Sequence, residues 1–368
     1  MKILFTGGGT GGHIYPILAV KRTIEKYNQD VKFLYIGTDG FANRAFKKEN
    51  LKCKFIFTGK FRRYFSALNF IDVFKIPIGL IQSLWHVFLF MPDVVFAKGA
   101  YGSGPVVFAS WLYRIPIIIH ESDIVPGLAN KIVSRFAKKI IVSFEEAKKY
   151  FPSQKTIVLG NPIREEIIQG NKEEAKKIFG LNSGKPVVLI MGGSQGARRI
   201  NEIVINTLPR LLEKCEVIHI SGENNFKLAK AEAEKMFHGQ VEKMYHLYPF
   251  LEEQELKHAY AISDVIVNRT SAGAIFEISA NGKPSVLIPL SNSASDHQIE
   301  NAKALAKTGG AIILEEDNLT INMFLDAIFG ILDNPQKAQE MGKKAKSFYK
   351  PETNQKIAEE ILNYANKI

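Results

Sequence analysis

The chain has little cysteine and no long uninterrupted apolar run. Only Cys53 and Cys215 occur in 368 residues, far apart and at no metal-ligand spacing. That excludes a disulfide framework or a cysteine metal site, and leaves two small buried thiols in a reducing compartment as the expectation. No stretch reaches the ~18 apolar residues a spanning helix requires. The nearest candidate, Ile76 to Met91, contains Gln82, Ser83 and His86. The start, Met1-Lys2-Ile3-Leu4-Phe5 running straight into glycines, does not fit a signal peptide. No Asp-x-Asp pair is present to hold a divalent ion under a diphosphate, and no low-complexity tract occurs. Negative charge is also short: 37 acidic against 48 basic residues leave a formal charge of +11. Such a balance favours an anionic partner, whether nucleic acid, acidic lipid or phosphorylated substrate. Without a helix-turn-helix, zinc or RNP signature, a nucleic-acid role rests on charge alone, and none is expected.

What is present is a repeated α/β pattern. With 46% hydrophobic residues and this length, two soluble globular domains are expected. Strand candidates are Ile3–Phe5, Phe33–Ile36, Val94–Phe96, Ile117–Ile119 and Ile140–Val142, separated by helical segments. The alternation restarts at Val187–Met191 and continues through Val217–Ile220, Val265–Val267 and Ser285–Ile288. This order argues for parallel sheets covered on both faces. A strand ends in turn chemistry at Gly160-Asn161-Pro162, which sets the expected boundary. The domains are then 1–160 and 161–344, with a C-terminal helical segment, 345–368, packing back on the first.

Each half opens with a strand, a glycine loop and a helix: Gly7-Gly8-Gly9-Thr10-Gly11-Gly12 in the first, Gly192-Gly193-Ser194-Gln195-Gly196 in the second. Such loops bring backbone N–H groups and a helix N-terminus against phosphate oxygens. Gly7, Gly9 and Gly12 also spell G-x-G-x-x-G, and Asp39 could serve a ribose, so a nicotinamide-dependent oxidoreductase stays open. Two features favour another reading. His13 follows the first loop and offers a titratable base. The second loop repeats the phosphate-binding logic, which suits a nucleotide diphosphate and a second anionic substrate.

Three glycine loops, Gly8-Gly9-Thr10-Gly11-Gly12-His13, Gly99-Ala100-Tyr101-Gly102-Ser103-Gly104-Pro105 and Gly192-Gly193-Ser194-Gln195-Gly196-Ala197, resemble those of the MurG family of peptidoglycan N-acetylglucosaminyltransferases. Gly59-Lys60-Phe61-Arg62-Arg63-Tyr64-Phe65-Ser66 and His120-Glu121-Ser122-Asp123, with Pro126-Gly127-Leu128-Ala129-Asn130, extend the likeness over nearly the whole chain. The chain departs from the family pattern at Ala100, at Ser122-Asp123 and at Ser271, and the segment after Gly37-Thr38 lacks the usual Glu. The resemblance implies a GT-B type α/β fold, two Rossmann-like doubly wound parallel-sheet domains facing across a cleft. It implies UDP-N-acetylglucosamine as donor, lipid I (a polyprenyl-diphosphate acceptor) as acceptor, and inverting transfer to the 4-hydroxyl of its N-acetylmuramoyl unit without metal or cofactor. A related transferase acting on another lipid acceptor is the alternative.

Carried over by position, the resemblance assigns the donor to Thr10, Gly11, Gly12, Asp123, Arg164, Ser194, Gln195, Leu251, Arg269, Ala272, Glu277 and Gln298. Glu277 suits the ribose diol, Gln298 the sugar hydroxyls, and Leu251 and Ala272 the uracil. The acceptor falls to Tyr101, Gly102, Ser103 and Asn130. His13 and Glu121 are the two candidate bases. His13 is preferred on intrinsic pKa, since Glu121 would need its pKa raised by burial. Arg62 and Arg63 stand beside Ile76, Leu80, Trp85 and Phe88, a mixture that suits an anionic membrane surface. A peripheral place on the cytoplasmic face of the bacterial plasma membrane follows from the implied acceptor.

Overall fold

The computed structural model describes residues 1–59, 67–193, 196–237, 243–291 and 296–366, with backbone alone over 67–74. In chain order the elements begin β1 (Lys2–Thr6), α1 (Gly11–Tyr27), β2 (Lys32–Gly37), α2 (Phe41–Lys48), β3 (Lys52–Phe55), α3 (Ala67–Phe90), β4 (Val94–Ala97), α4 (Ser103–Leu112), β5 (Ile117–Glu121), α5 (Leu128–Val133), β6 (Lys139–Val142) and β7 (Thr156–Val158). They continue with α6 (Lys172–Phe179), β8 (Val187–Met191), α7 (Arg198–Lys214), β9 (Glu216–Ile220), α8 (Phe226–Met236), β10 (Tyr245–Tyr248), α9 (Glu253–Ile262) and β11 (Val265–Arg269). The last are α10 (Ala272–Asn281), β12 (Ser285–Ile288), α11 (His297–Lys307), β13 (Ala311–Ile313), α12 (Ile321–Leu332), α13 (Pro335–Phe348) and α14 (Thr353–Ala365).

The chain divides into two compact units, Met1–Arg164 with Pro351–Ile368, and Glu165–Lys350. The first holds a seven-stranded sheet of order β3-β2-β1-β4-β5-β6-β7, the second a six-stranded sheet of order β10-β9-β8-β11-β12-β13. Every strand pair is parallel. Parallel strands buried on both faces read as continuous apolar runs. β4, β5 and β8 are buried at every position.

The units break at Arg164/Glu165 and Lys350/Pro351, a few residues beyond the expected boundaries. Arg164 therefore falls in the first unit, buried, with its guanidinium 3.9 Å over the Tyr15 ring of α1. Residues 345–348 end α13 in the second unit, so the returning segment begins only at Pro351. In α14 an i, i+4, i+8 stripe, Ile357, Ile361 and Ala365, joins the core of Ile14, Ile17 and Leu18. Thr353 donates to the Leu159 carbonyl at 2.7 Å, and Asn354 pairs with both the N–H and the carbonyl of Ile163, at 3.2 and 2.8 Å. These bonds anchor the start of α14.

Candidate active site

Strand order fixes where a ligand can lie. In an open parallel sheet the crevice forms at the carboxyl ends of the strands where the order reverses. In the first unit that point lies between β1 and β4, in the second between β8 and β11. The loops leaving those strands are Gly7–Thr10, Lys98–Gly102, Gly192–Gly196 and Thr270–Ser271. All three glycine loops thus leave switch-point strands.

The first two loops are close-packed. The Tyr35 hydroxyl donates to the Gly7 carbonyl at 2.9 Å, and a Cβ on Gly102 would stand 2.6 Å from that oxygen. Gly99 has φ +85° and Ala100 +66°. Ala100, a departure from the family pattern, therefore holds a left-handed conformation that glycine adopts without strain. Thr10 precedes α1, and its hydroxyl lies 2.9 Å from His13 Nδ1. Tyr101 is exposed and Ser103 buried, its hydroxyl donating to the Ala100 carbonyl at 2.8 Å. Gly11 is buried and Gly12 exposed at the start of α1.

Behind these loops lies a buried polar cluster. Glu121 ends β5 with a buried carboxylate: Oε1 accepts the Asp123 backbone N–H at 3.0 Å, and Oε2 accepts Asn130 Nδ2 of α5 at 2.9 Å. The buried Asn130 Oδ1 has no partner among the described residues. Lys98, at the end of β4, is buried and meets His120 Nδ1 at 2.5 Å, Ser122 Oγ, and Asn161 Oδ1 at 3.3 Å. His120 Nε2 lies 3.0 Å from the Gly160 carbonyl. The sequence reading gave Lys98 no part, and none to His120, Ser122 or Asn161 as side chains. Their proximity to quoted motifs was the only available signal.

This environment separates the two candidate bases. Burial, followed by the Lys98 charge, pushes the half-buried His13 imidazole down to about 4. It is a neutral, weakly basic ring at pH 7. Burial, followed by the Asp123 charge, pushes the Glu121 carboxyl up to about 7 against the lowering effects of its two hydrogen bonds and Lys98. A carboxylate poised near neutrality matches general-base work better. The expectation for His13 used its intrinsic pKa, which burial lowers.

In the second unit the remaining candidates gather at the carboxyl edge of the sheet. Arg269 ends β11 and donates through Nη1 to the Gly196 carbonyl at 3.2 Å. The Thr270 hydroxyl is buried and without a hydrogen-bond partner among the described residues. Ser271 caps α10, its hydroxyl accepting the Ala274 N–H at 3.4 Å, so this departure from the family pattern supplies a helix cap. Glu277, half-buried on the same helix, accepts the Tyr260 hydroxyl at 3.2 Å. Gln298 is buried, its Oε1 accepting the Leu290 N–H at 3.1 Å. Leu251 and Ala272 are buried as well. Gly196, at φ +74°, could carry no side chain: its Cβ would stand 2.2 Å from Asn225 Nδ2. Ser194 and Gln195 lie outside the described residues.

One face of the first unit is apolar. Ile81, Trp85 and Leu89 of α3, spaced i, i+4, i+8, are 66%, 59% and 62% exposed. Ile76, Ile78 and Phe88 are exposed on the same helix, and Phe108, Trp111 and Leu112 on α4. Leu80 is half-buried, so it belongs to the margin of this face. From Ile76 to Phe90, and throughout α4 and α5, there is no acidic residue. Arg62 and Arg63 lie outside the described residues. No described helix is long and apolar enough to cross a membrane.

Comparison with known proteins matches residues 3–142 to the glycosyltransferase family 28 N-terminal domain and residues 187–361 to its C-terminal domain. The chain is 40% identical over 350 residues, covering 93% of itself and 95% of the relative, to a Bacillus thuringiensis protein named UDP-N-acetylglucosamine--N-acetylmuramyl-(pentapeptide) pyrophosphoryl-undecaprenol N-acetylglucosamine transferase 2. A Clostridium tetani protein of the same name, without the numeral, is 38% identical over 91% of each chain. Among solved structures, Acinetobacter baumannii MurG superposes with a TM-score of 0.74 at 28% identity, covering 98% of this chain and 99% of that one. A Neisseria meningitidis UDP-GlcNAc 2-epimerase superposes with a TM-score of 0.70 at 15% identity over 99% and 100%, a likeness of fold alone.

Proposed function

The chain belongs to glycosyltransferase family 28, and on that premise we propose that it moves N-acetylglucosamine from UDP-N-acetylglucosamine to the 4-hydroxyl of the N-acetylmuramoyl unit in lipid I, making lipid II. The observation that carries the substrate assignment is the 40% identity, over nearly the full length of both chains, to a transferase so named. The reaction is a direct displacement. The Glu121 carboxylate takes the acceptor hydroxyl's proton, and the hydroxyl oxygen bonds to the anomeric carbon with inversion. The bond from that carbon to the diphosphate breaks, and its electron pair leaves with UDP.

The second unit's residues suit the donor. The carboxylate of Glu277 accepts from a vicinal ribose diol, and the Gln298 side-chain amide bonds sugar hydroxyls. Arg269 and the helix N-termini at the carboxyl edge stabilise charge developing on the departing diphosphate. In the first unit, Tyr101, Gly102, Ser103 and Asn130 line the acceptor side with Glu121, while a neutral His13, held through Thr10, orients a hydroxyl. Thr10, Gly11, Gly12, Asp123 and Arg164 complete the donor set, together with Ser194 and Gln195. The apolar face of α3 and α4 rests on an anionic membrane surface at the cytoplasmic side of the plasma membrane, as a polyprenyl-linked acceptor requires.

A thermal-shift comparison separates this reading from a nicotinamide enzyme. UDP-N-acetylglucosamine at a hundred times its Kd should stabilise the native chain by about 2.7 kcal/mol, and NAD should leave the transition unmoved. A shift with NAD and none with the sugar nucleotide would favour the oxidoreductase.

A further inference from the structure

The cluster behind the glycine loops contains a charge that the proposed reaction does not use directly. The groups around Lys98 are placed to receive hydrogens from its side chain. The Gly160 carbonyl can only accept, so His120 Nε2, 3.0 Å away, carries the ring's proton. His120 Nδ1 is then a lone pair, and Lys98 donates to it at 2.5 Å. Asn161 Oδ1 is a second obligate acceptor, at 3.3 Å. Ser122 Oγ donates its own proton to Asn161 Oδ1 at 3.0 Å and so receives from Lys98 as the third acceptor. An ammonium group at this position serves all three contacts as donor.

A buried ammonium is costly unless an anion compensates it, yet among the described residues no carboxylate is hydrogen-bonded to this one. Burial pulls the Lys98 ammonium down to about 7, and the charges of Glu121 on β5 and then Asp123 in the loop beyond act through space to hold it up. The other titratable groups facing the cluster, His13 on α1 and His120 on β5, are both held neutral by burial and by the Lys98 charge. Glu121 is likewise short of charge compensation: its oxygens are occupied by a backbone N–H and an amide, neither of them charged. Lys98 directly follows β4, one residue past Ala97, and Glu121 ends the adjacent β5, two residues past Ile119, so the Lys98 side chain reaches His120 and Ser122 on either side of Glu121.

We propose that Lys98 is a positioning residue whose buried ammonium charge keeps the neighbouring Glu121 ionised, so that Glu121 can take the acceptor's proton. The inference rests on the reading in which Glu121 is the base. His120, Ser122 and Asn161 then have a shared purpose: they hold the ammonium where it acts on the carboxylate through space without bonding to it. A direct Lys98–Glu121 bond would cap the oxygen that must accept the proton. The burial that raises the Glu121 carboxyl is partly offset by Lys98, and removing the charge removes that offset.

The test follows Glu121 directly. Carbon-13 NMR of the full chain labelled at glutamate carboxyls, with the resonance assigned from its loss in Glu121→Gln, gives the titration midpoint without requiring turnover. Lys98→Met should raise that midpoint, the direction expected when a nearby opposite charge is lost, and by more than the conservative variant does. Lys98→Arg should leave it within a few tenths. Should Lys98→Met lack a native amide spectrum, Lys98→Gln removes the charge while keeping a donor for His120. The acidic limb of kcat/KM should move upward by the same amount in the neutral variants. An unmoved Glu121 midpoint would overturn the proposal, as would a midpoint that moves while the limb stays. If the wild-type chain transferred no sugar, the transferase reading would fail and the carboxyl titration would still decide whether Lys98 governs Glu121.

Discussion

Glu121→Gln is expected to lower kcat by about 100- to 10,000-fold, the range for loss of a general base, while the Kd for UDP-N-acetylglucosamine stays within about twofold. The substitution is close to isosteric. The glutamine oxygen can accept the Asp123 N–H as the carboxylate does at 3.0 Å. Its NH2 would face Asn130 Nδ2, but Asn130 Oδ1 is buried and unpartnered, so a flip of that amide restores a donor–acceptor pair. The fold and the glycine loops should therefore survive, and what is lost is the capacity to take a proton. His13→Ala should be milder, because a ring pushed down to about 4 contributes hydrogen bonding more than basicity. Rates compared at saturating donor, with donor affinity measured separately, decide the matter. A Glu121→Gln enzyme within tenfold of wild type, beside a His13→Ala enzyme reduced a thousandfold, would return the base to His13.

The second large effect concerns the apolar face. Ile81, Trp85 and Leu89 form one exposed stripe on α3, and Ser at all three should cut partition onto anionic vesicles roughly 1,000-fold. The figure follows from about 1.5 kcal/mol for each apolar side chain removed from water and 1.4 kcal/mol per tenfold in affinity. Since these side chains are already in solvent, the unfolding transition should stay put or rise. Vesicle sedimentation measures the partition. Unchanged partition in the folded triple variant would remove this face from membrane binding.

Legibility in the sequence followed burial. The nine strands named from apolar runs are the interior ones of the two sheets. The four edge strands were harder. Lys52–Phe55, Tyr245–Tyr248 and Ala311–Ile313 were not foreseen, and Thr156–Val158 was sensed only as a strand ending near Gly160. Edge strands are covered on fewer sides, and β3 reads Lys-Cys-Lys-Phe with alternating exposure, so the continuous apolar signal of a parallel sheet is absent there. The three glycine loops were readable because backbone conformation, as at Gly99 and Gly196, demands the residue type. The Lys98 cluster was not readable, because positions 98, 120–122 and 161 meet only through the order β4-β5-β6-β7. The choice of base also depended on burial, which intrinsic pKa values do not contain. On the apolar face, the sequence pointed to Ile76, Leu80, Trp85 and Phe88 of α3, whereas the exposure of Ile81 and Leu89, and of Phe108, Trp111 and Leu112 on α4, became visible only in the fold.

The central claim is sugar transfer, and the most direct measurement is the movement of labelled N-acetylglucosamine from UDP-N-acetylglucosamine to a lipid I analogue, with EDTA present and the anomeric configuration of the product read by NMR. A β-linked product, formed at an undiminished rate in EDTA, is the expected result. Donor binding without any transfer to that acceptor, or transfer that stops on chelation, would contradict it.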